Sequence, residues 1–215
     1  EAIAKFVQVA EYEGNGEWIE TVGKPDITVI PQDDGFLITA KVKGKAREIK
    51  RAKVEFMAKV LCNGTDDKFE TDRFNTNDQL YLSFRSPTDG YCLVYLIDES
   101  QKAYCLLPYR QQTTGNFPIK ANRRYVLFSP KDADRSIASL VDEYTLNSQE
   151  SKEYNQLYII FSPNPLTKTI DRSTTELMPR ETTVENFRKW LARCRRNDLD
   201  MAVEVKNIVI KGHEK

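Results

Sequence analysis

His213, near the C-terminus, is the chain's single histidine. Ser–His and Cys–His nucleophile systems need a histidine held by surrounding structure, and chain ends rarely hold one. Four cysteines, Cys62, Cys92, Cys105 and Cys194, form no CxxC pair and no zinc-ligand spacing. They read as buried, reduced thiols acting as small apolar side chains. A Cys92–Cys105 bridge would join directly paired strands, an awkward geometry for a disulfide. No glycine-rich phosphate loop, HExxH or GxSxG is present. No catalytic residue, metal site or cofactor is expected.

Carboxylates leave one route to chemistry, the acid pair of a carbohydrate-active hydrolase. Asp66-Asp67, Asp98-Glu99, Asp132/Asp134 and Asp198/Asp200 are the candidates, and all fall in turn-like segments where acids ordinarily cap the backbone. Neither Asp132-Ala-Asp134 nor Asp198-Leu-Asp200 sits in a ligand-rich loop of the calcium type. Lys41, Lys43, Lys45, Arg47, Lys50, Arg51 and Lys53 would suit an anionic surface. They read better as a solvated strand face whose lysines protect an edge. Tyrosines are the remaining handle. Tyr81, Tyr95, Tyr104, Tyr109 and Tyr158 lie on or beside one predicted sheet. Exposed in a row, they would form a platform for protein or glycan; covered, they would be cross-strand packing pairs.

The elements that must position these residues are mostly strands. "YCLVYLI" (91–97) is too short for a comfortable helix and apolar on both faces, so it reads as a central strand covered on both sides. "DESQK" turns the chain, and "AYCLLPY" (103–109) returns until Pro108 ends ladder pairing. In "DQLYLSF", Leu80, Leu82 and Phe84 alternate with Gln79, Tyr81 and Ser83, the period of a half-buried strand. "RYVLFSP", "YNQLYIIFSPNP" and "MAVEVKNIVIKG" (final strand 201–211) follow, with Leu157, Ile159 and Phe161 sharing one face. Toward the N-terminus, "AKFVQVAEY", "PDITVIP" and "GFLITAKVKG" read as short strands, residues 1–45 being a leading β segment or small subdomain before a 46–215 domain. Residues 48–61 fit either period, with strand favoured for 53–61. Residues 111–116, 147–153 and 166–181 read as loops.

One helix is expected over 183–196. Thr182 with Glu185 suggests a capping box, and Phe187, Trp190, Leu191 and Cys194 form an apolar stripe. The fold class is therefore mainly β, an antiparallel Greek-key-like sandwich carrying one C-terminal amphipathic helix. With 32 basic and 32 acidic residues, the formal charge is zero, which argues against a dedicated nucleic-acid binder. No apolar run is long enough to span a membrane as a helix. The chain starts at Glu1 without a legible leader, so a trimmed natural N-terminus is expected.

The run "FNTNDQLYLSFRSPTDGYCLVYLID…AYCLLPY", followed by "IKANRRYVLFS" and "NQLYIIFSPNP", resembles a bacterial domain-of-unknown-function family. Asp78, Leu80, Asp89, Gly90, Tyr91, Asp98, Leu107 and Pro108 carry the likeness, over roughly residues 53–165. Leu106-Leu107-Pro108-Tyr109 departs from the family's usual Leu-Phe-Pro-Asn. The resemblance implies an exported β-domain of Bacteroidetes type, periplasmic, outer-membrane-associated or secreted, sometimes appended to caspase-like peptidases. It brings no catalytic residues with it. The expected function is a non-enzymatic envelope module that contacts protein or glycan.

Overall fold

The computed structural model describes residues 16–21, 24, 26–32, 35–41, 43–48, 54–112, 115–169, 171 and 178–212. They belong to two compact units, Glu1–Lys50 and Arg51–Lys215. "AKFVQVAEY", His213, Lys50, Arg51 and Lys53 lie outside the described residues.

The first unit holds β1 (Gly16–Thr21), β2 (Asp26–Gln32), β3 (Gly35–Lys41) and β4 (Gly44–Glu48). β1 pairs antiparallel with β4, and β2 forms a hairpin with β3 in which Val29 faces Ile38 and Ile27 faces Ala40. Alternation therefore puts Ile27, Val29, Ile38 and Ala40 on one side of the hairpin. Ile27, Val29 and Ile38 remain exposed there.

The second unit begins with β5 (Met57–Cys62), β6 (Arg73–Asn75), β7 (Gln79–Arg85), β8 (Gly90–Ile97) and β9 (Lys102–Leu107). β10 (Phe117–Ile119), β11 (Tyr125–Leu127), β12 (Tyr144–Thr145), β13 (Lys152–Ser162) and β14 (Arg180–Thr183) follow. Helix α1 (Val184–Asn197) and β15 (Ala202–Lys211) complete it. The larger sheet runs β14-β9-β8-β13-β15-β6, with β10 also on β8; in the smaller, β7 lies between β5 and the pair β11 and β12. All pairings are antiparallel except β15 with β6, which is parallel.

The sheets face each other. Val60, Leu80, Leu82 and Phe84 of the smaller meet Val94, Leu157, Ile159, Phe161 and Ile208 of the larger in one buried cluster. Phe56 and Phe161 flank Phe84 with ring centroids 5.1 and 5.9 Å from it. Helix α1 covers the larger sheet's other side. Its Phe187, Trp190, Leu191 and Cys194 bury Leu93, Tyr95, Ile97, Ala103, Cys105 and Ile160. β8 is thus covered on both faces, which is why it reads as an unbroken apolar run. Each large side chain so buried contributes roughly 1.5–3 kcal/mol.

The helix cap differs from the expectation. Thr182 still belongs to β14, opposite Ala103, and it is the Thr183 side chain that accepts the Asn186 N–H. Glu185 instead pairs with Lys189 at 2.6 Å. β7 is also more buried than a half-covered strand: Tyr81 and Ser83 are enclosed on its outer face, where Arg124 reaches Ser83 Oγ and Asp67.

Candidate functional site

Of the positions that carry the family resemblance, Asp78, Asp89 and Asp98 serve turns and Gly90 opens β8, whereas Leu80, Tyr91 and Leu107 lie within strands. Asp78 accepts from the Asn75 N–H and from Asn63 Nδ2 at 2.7 Å; burial alone would raise its carboxyl, but these donors hold it below the usual carboxylate range. Asp89 accepts from the Ala121 N–H at 2.7 Å and pairs with Lys120, and is likewise lowered. Gly90 is required sterically: a Cβ there would lie 2.3 Å from the Ser162 carbonyl oxygen on β13. Asp98 closes the β8–β9 turn by accepting from Ser100 Oγ and the Lys102 N–H.

The other acids are similarly engaged. Asp67 meets Arg124 at 2.8 Å and Lys59 at 3.3 Å, Asp66 lies 3.9 Å from Lys68, and Glu99 accepts the Tyr154 N–H. Asp132 accepts from Ser129, and Asp134 pairs with Arg123, whose guanidinium lowers its carboxyl. Asp198 accepts from Ser162 Oγ, Asn164 Nδ2 and the Asp200 N–H. Among the described residues, no group of three His, Cys, Asp or Glu side chains is placed to hold a metal ion. The cysteines are free thiols, and burial pushes Cys62 up to about 12 and Cys194 to about 11.

The five tyrosines do not form one exposed row. Tyr95 is 1% exposed beneath α1, its ring 4.8 Å from Phe187 and its hydroxyl 2.7 Å from Thr169 Oγ1. Tyr109 is 2% exposed in the inter-sheet core, where its hydroxyl accepts the Phe128 N–H. Tyr81 is buried on the smaller sheet and donates to Gln79. Tyr104 is half-buried and donates to Asp98; burial and that carboxylate raise its phenol to about 12. Only Tyr158, half-buried against Phe187, borders an open part of the larger sheet. The physical reason is layering. α1 and the smaller sheet cover most of the aromatic positions, so the rings serve cohesion.

A buried polar chain links Tyr95 to the β9 turn. Thr169 donates to Asp171, whose Oδ2 lies 3.5 Å from Arg180 Nε without a hydrogen bond. Arg180 donates to the carbonyls of Gln112 and Pro108 and approaches Cys105 Sγ at 3.5 Å. Burial raises the Cys105 thiol, and the guanidinium opposes this. The arrangement ties Thr169 to Tyr95 of β8 and Arg180 to the turn after β9.

Among the described residues, the larger sheet's outer face is open beside α1, from Tyr158, which touches Phe187, outward to Tyr154. Register places Tyr154 opposite Val209, Gln156 opposite Asn207 and Tyr158 opposite Val205, all on that face. Tyr154 is 44% exposed, and Val205 and Val209 are half-buried. Lys152 Nζ stands 4.9 Å from the Tyr154 ring centroid, and Gln156 donates to Asn207 at 3.3 Å. The result is an aromatic and aliphatic strip with amide groups at its centre and a cation at one end. Tyr154 was absent from the sequence-derived tyrosines, although its alternation with Tyr158 along "YNQLY" was legible.

No family model, no curated protein and no solved structure matches the chain.

Proposed function

We propose that this chain is a non-enzymatic binding module of the cell envelope, contacting protein or glycan through the open strip of Tyr154, Tyr158, Val205 and Val209. The observation that carries the reading is the 44% exposure of Tyr154 on a sheet whose remaining outer face is covered by a helix. Tyrosines beside aliphatic side chains on a rigid sheet give large contact area at low entropic cost, the chemistry of protein and sugar recognition. The envelope setting rests on the sequence resemblance. The involvement of the singled-out acids in turns and ion pairs favours binding over hydrolysis.

The test is a glycan array and an extended-peptide array probed with the wild-type chain and with a Tyr154→Ala/Val209→Asp variant. Signals that fall by about tenfold or more in the variant support the strip as the contact surface. Equal signals from both proteins, or release of shortened sugars from the array, would overturn the reading.

A further inference from the structure

Register gathers cations at the far end of the strip. Lys152 and Lys211 stand directly opposite each other across β13 and β15, on the face that carries Tyr154 and Val209. β6 extends the row, because Arg73 pairs with Val209 and so shares its face. Phe74 fits this parity, since it turns inward with Ile210 into the core between the sheets. The acids of these three strands are Glu153 and Glu204. Both fall on the opposite face, where Glu153 accepts from Asn155 and Glu204 pairs with Lys206. Beside the strip, Glu99 is engaged by the Tyr154 N–H. Asp72 reaches Arg73 at 3.8 Å, with the two side chains 73% and 79% exposed, too open a pair to hold the guanidinium. Among the described residues, Lys152 and Lys211 have no carboxylate partner; Lys152 meets only the Tyr154 ring. Two like charges facing each other across a ladder cost stability unless a counter-charge meets them.

We infer that this corner binds an acidic glycan, with a carboxylate among Lys152, Lys211 and Arg73 and a sugar ring against Tyr154, an assignment that rests on the binding-module reading above and names its ligand class. β13 lies between β8 and β15, so its main chain is taken up by two ladders from Gln156 to Phe161, and the Tyr154 N–H goes to Glu99. A ligand on this face therefore meets side chains alone. Those on offer are an exposed phenol ring, the paired carboxamides of Gln156 and Asn207, and the three cations. A sugar acid uses each of them. Its C–H face packs on the ring, its hydroxyls exchange hydrogen bonds with the amides, and its carboxylate meets the cations. From Lys152 to Gln156 the strand rises about 13 Å, the reach of a short oligosaccharide. An extended peptide draws its affinity from main-chain bonds, which this face does not offer.

The experiment titrates the full chain calorimetrically with tetragalacturonate, with its fully methyl-esterified form, which keeps the shape and loses the charge, and with tetraglutamate. The acid must bind more tightly than the ester by about tenfold or more, and added salt must erode that gap. Lys152→Gln and Arg73→Gln should each weaken binding of the acid about two- to fivefold and leave the ester unchanged. Lys211→Glu sets an opposite charge across from Lys152, which keeps the ladder stable while removing the preference for the acid. Lys131→Gln, at an exposed lysine beyond β11, must bind as wild type does. Equal affinity for acid and ester, no binding of tetragalacturonate at millimolar concentration, or an effect of Lys131→Gln as large as that of Lys152→Gln overturns the inference. So does tighter binding of tetraglutamate that Lys211→Glu abolishes, which would make an acidic protein the occupant. Array signals that are lost with Tyr154→Ala/Val209→Asp but kept with Lys211→Glu would sink the acidic ligand class alone and leave the binding strip standing.

Discussion

Asp78 joins three parts of the chain that are distant in sequence or tightly turned. Its carboxylate accepts from Asn75 and Asn63, while its backbone carbonyl accepts from Leu146. Because the folded-state carboxyl is held below its ordinary value, its stabilisation is present above the usual carboxylate range and disappears as pH falls through the depressed value. Asp78→Ala is expected to cost about 1–2 kcal/mol at neutral pH, and the gap to wild type should narrow in acid; urea midpoints at pH 7 and pH 3 measure both. Arg180 sits at the other extreme. It is 8% exposed, and its partner's carboxylate is buried with it. Arg180→Ala strands the Asp171 charge and two carbonyls, at an expected cost of about 3–5 kcal/mol. Lys189→Ala, which breaks an exposed pair of similar appearance, should cost under about 0.5 kcal/mol. Comparable losses from the two would contradict the role given to Arg180.

At the scale of elements, what could be read from the sequence depended on whether the signal was local. The β8–β9 hairpin, β13, β15 and the stripe of α1 were legible because alternation and helical spacing are properties of a few consecutive residues. The helix cap was displaced by one residue because Thr182 and Thr183 are equivalent as local signals; pairing of β14 with β9 decides between them. β6 and β14 have only three and four residues, too few for a period, and they exist because longer strands offer them an edge. The fate of the tyrosines was illegible for the same reason. Alternation tells which residues share a face, but only the layer packed on that face decides whether Tyr95 is buried and Tyr154 open. Trp190 tests the layer itself. It fills the space over Tyr95, with ring centroids 5.6 Å apart, and donates to the Thr167 carbonyl. Trp190→Ala should cost about 3–5 kcal/mol and expose enough apolar surface to raise binding of a hydrophobic dye; unchanged stability would mean that α1 is not the cover of this face.

Among the described residues, cohesion is divided unevenly between the two units. Both apolar clusters, with the partly buried side chains packed on them, lie between Val54 and Ile210, within the second unit. In the first unit, the β2–β3 hairpin leaves Ile27, Val29, Ile30, Leu37 and Ile38 exposed, and an isolated two-stranded hairpin is marginal in water. The contrast predicts different behaviour for separate pieces of the chain. A piece comprising residues 51–215 carries two complete clusters and should unfold in one cooperative transition, with a urea midpoint equal to that of the second unit in the full chain. A peptide comprising the β2–β3 hairpin, residues 26–41, should show no cooperative transition, because little of its apolar surface leaves water. Circular dichroism of the three proteins across a urea series measures both expectations. If the longer piece lost its cooperativity or its midpoint fell, the first unit would be part of the stabilising core, and the sheet pair with its helix would not be the self-sufficient scaffold on which the binding strip is built.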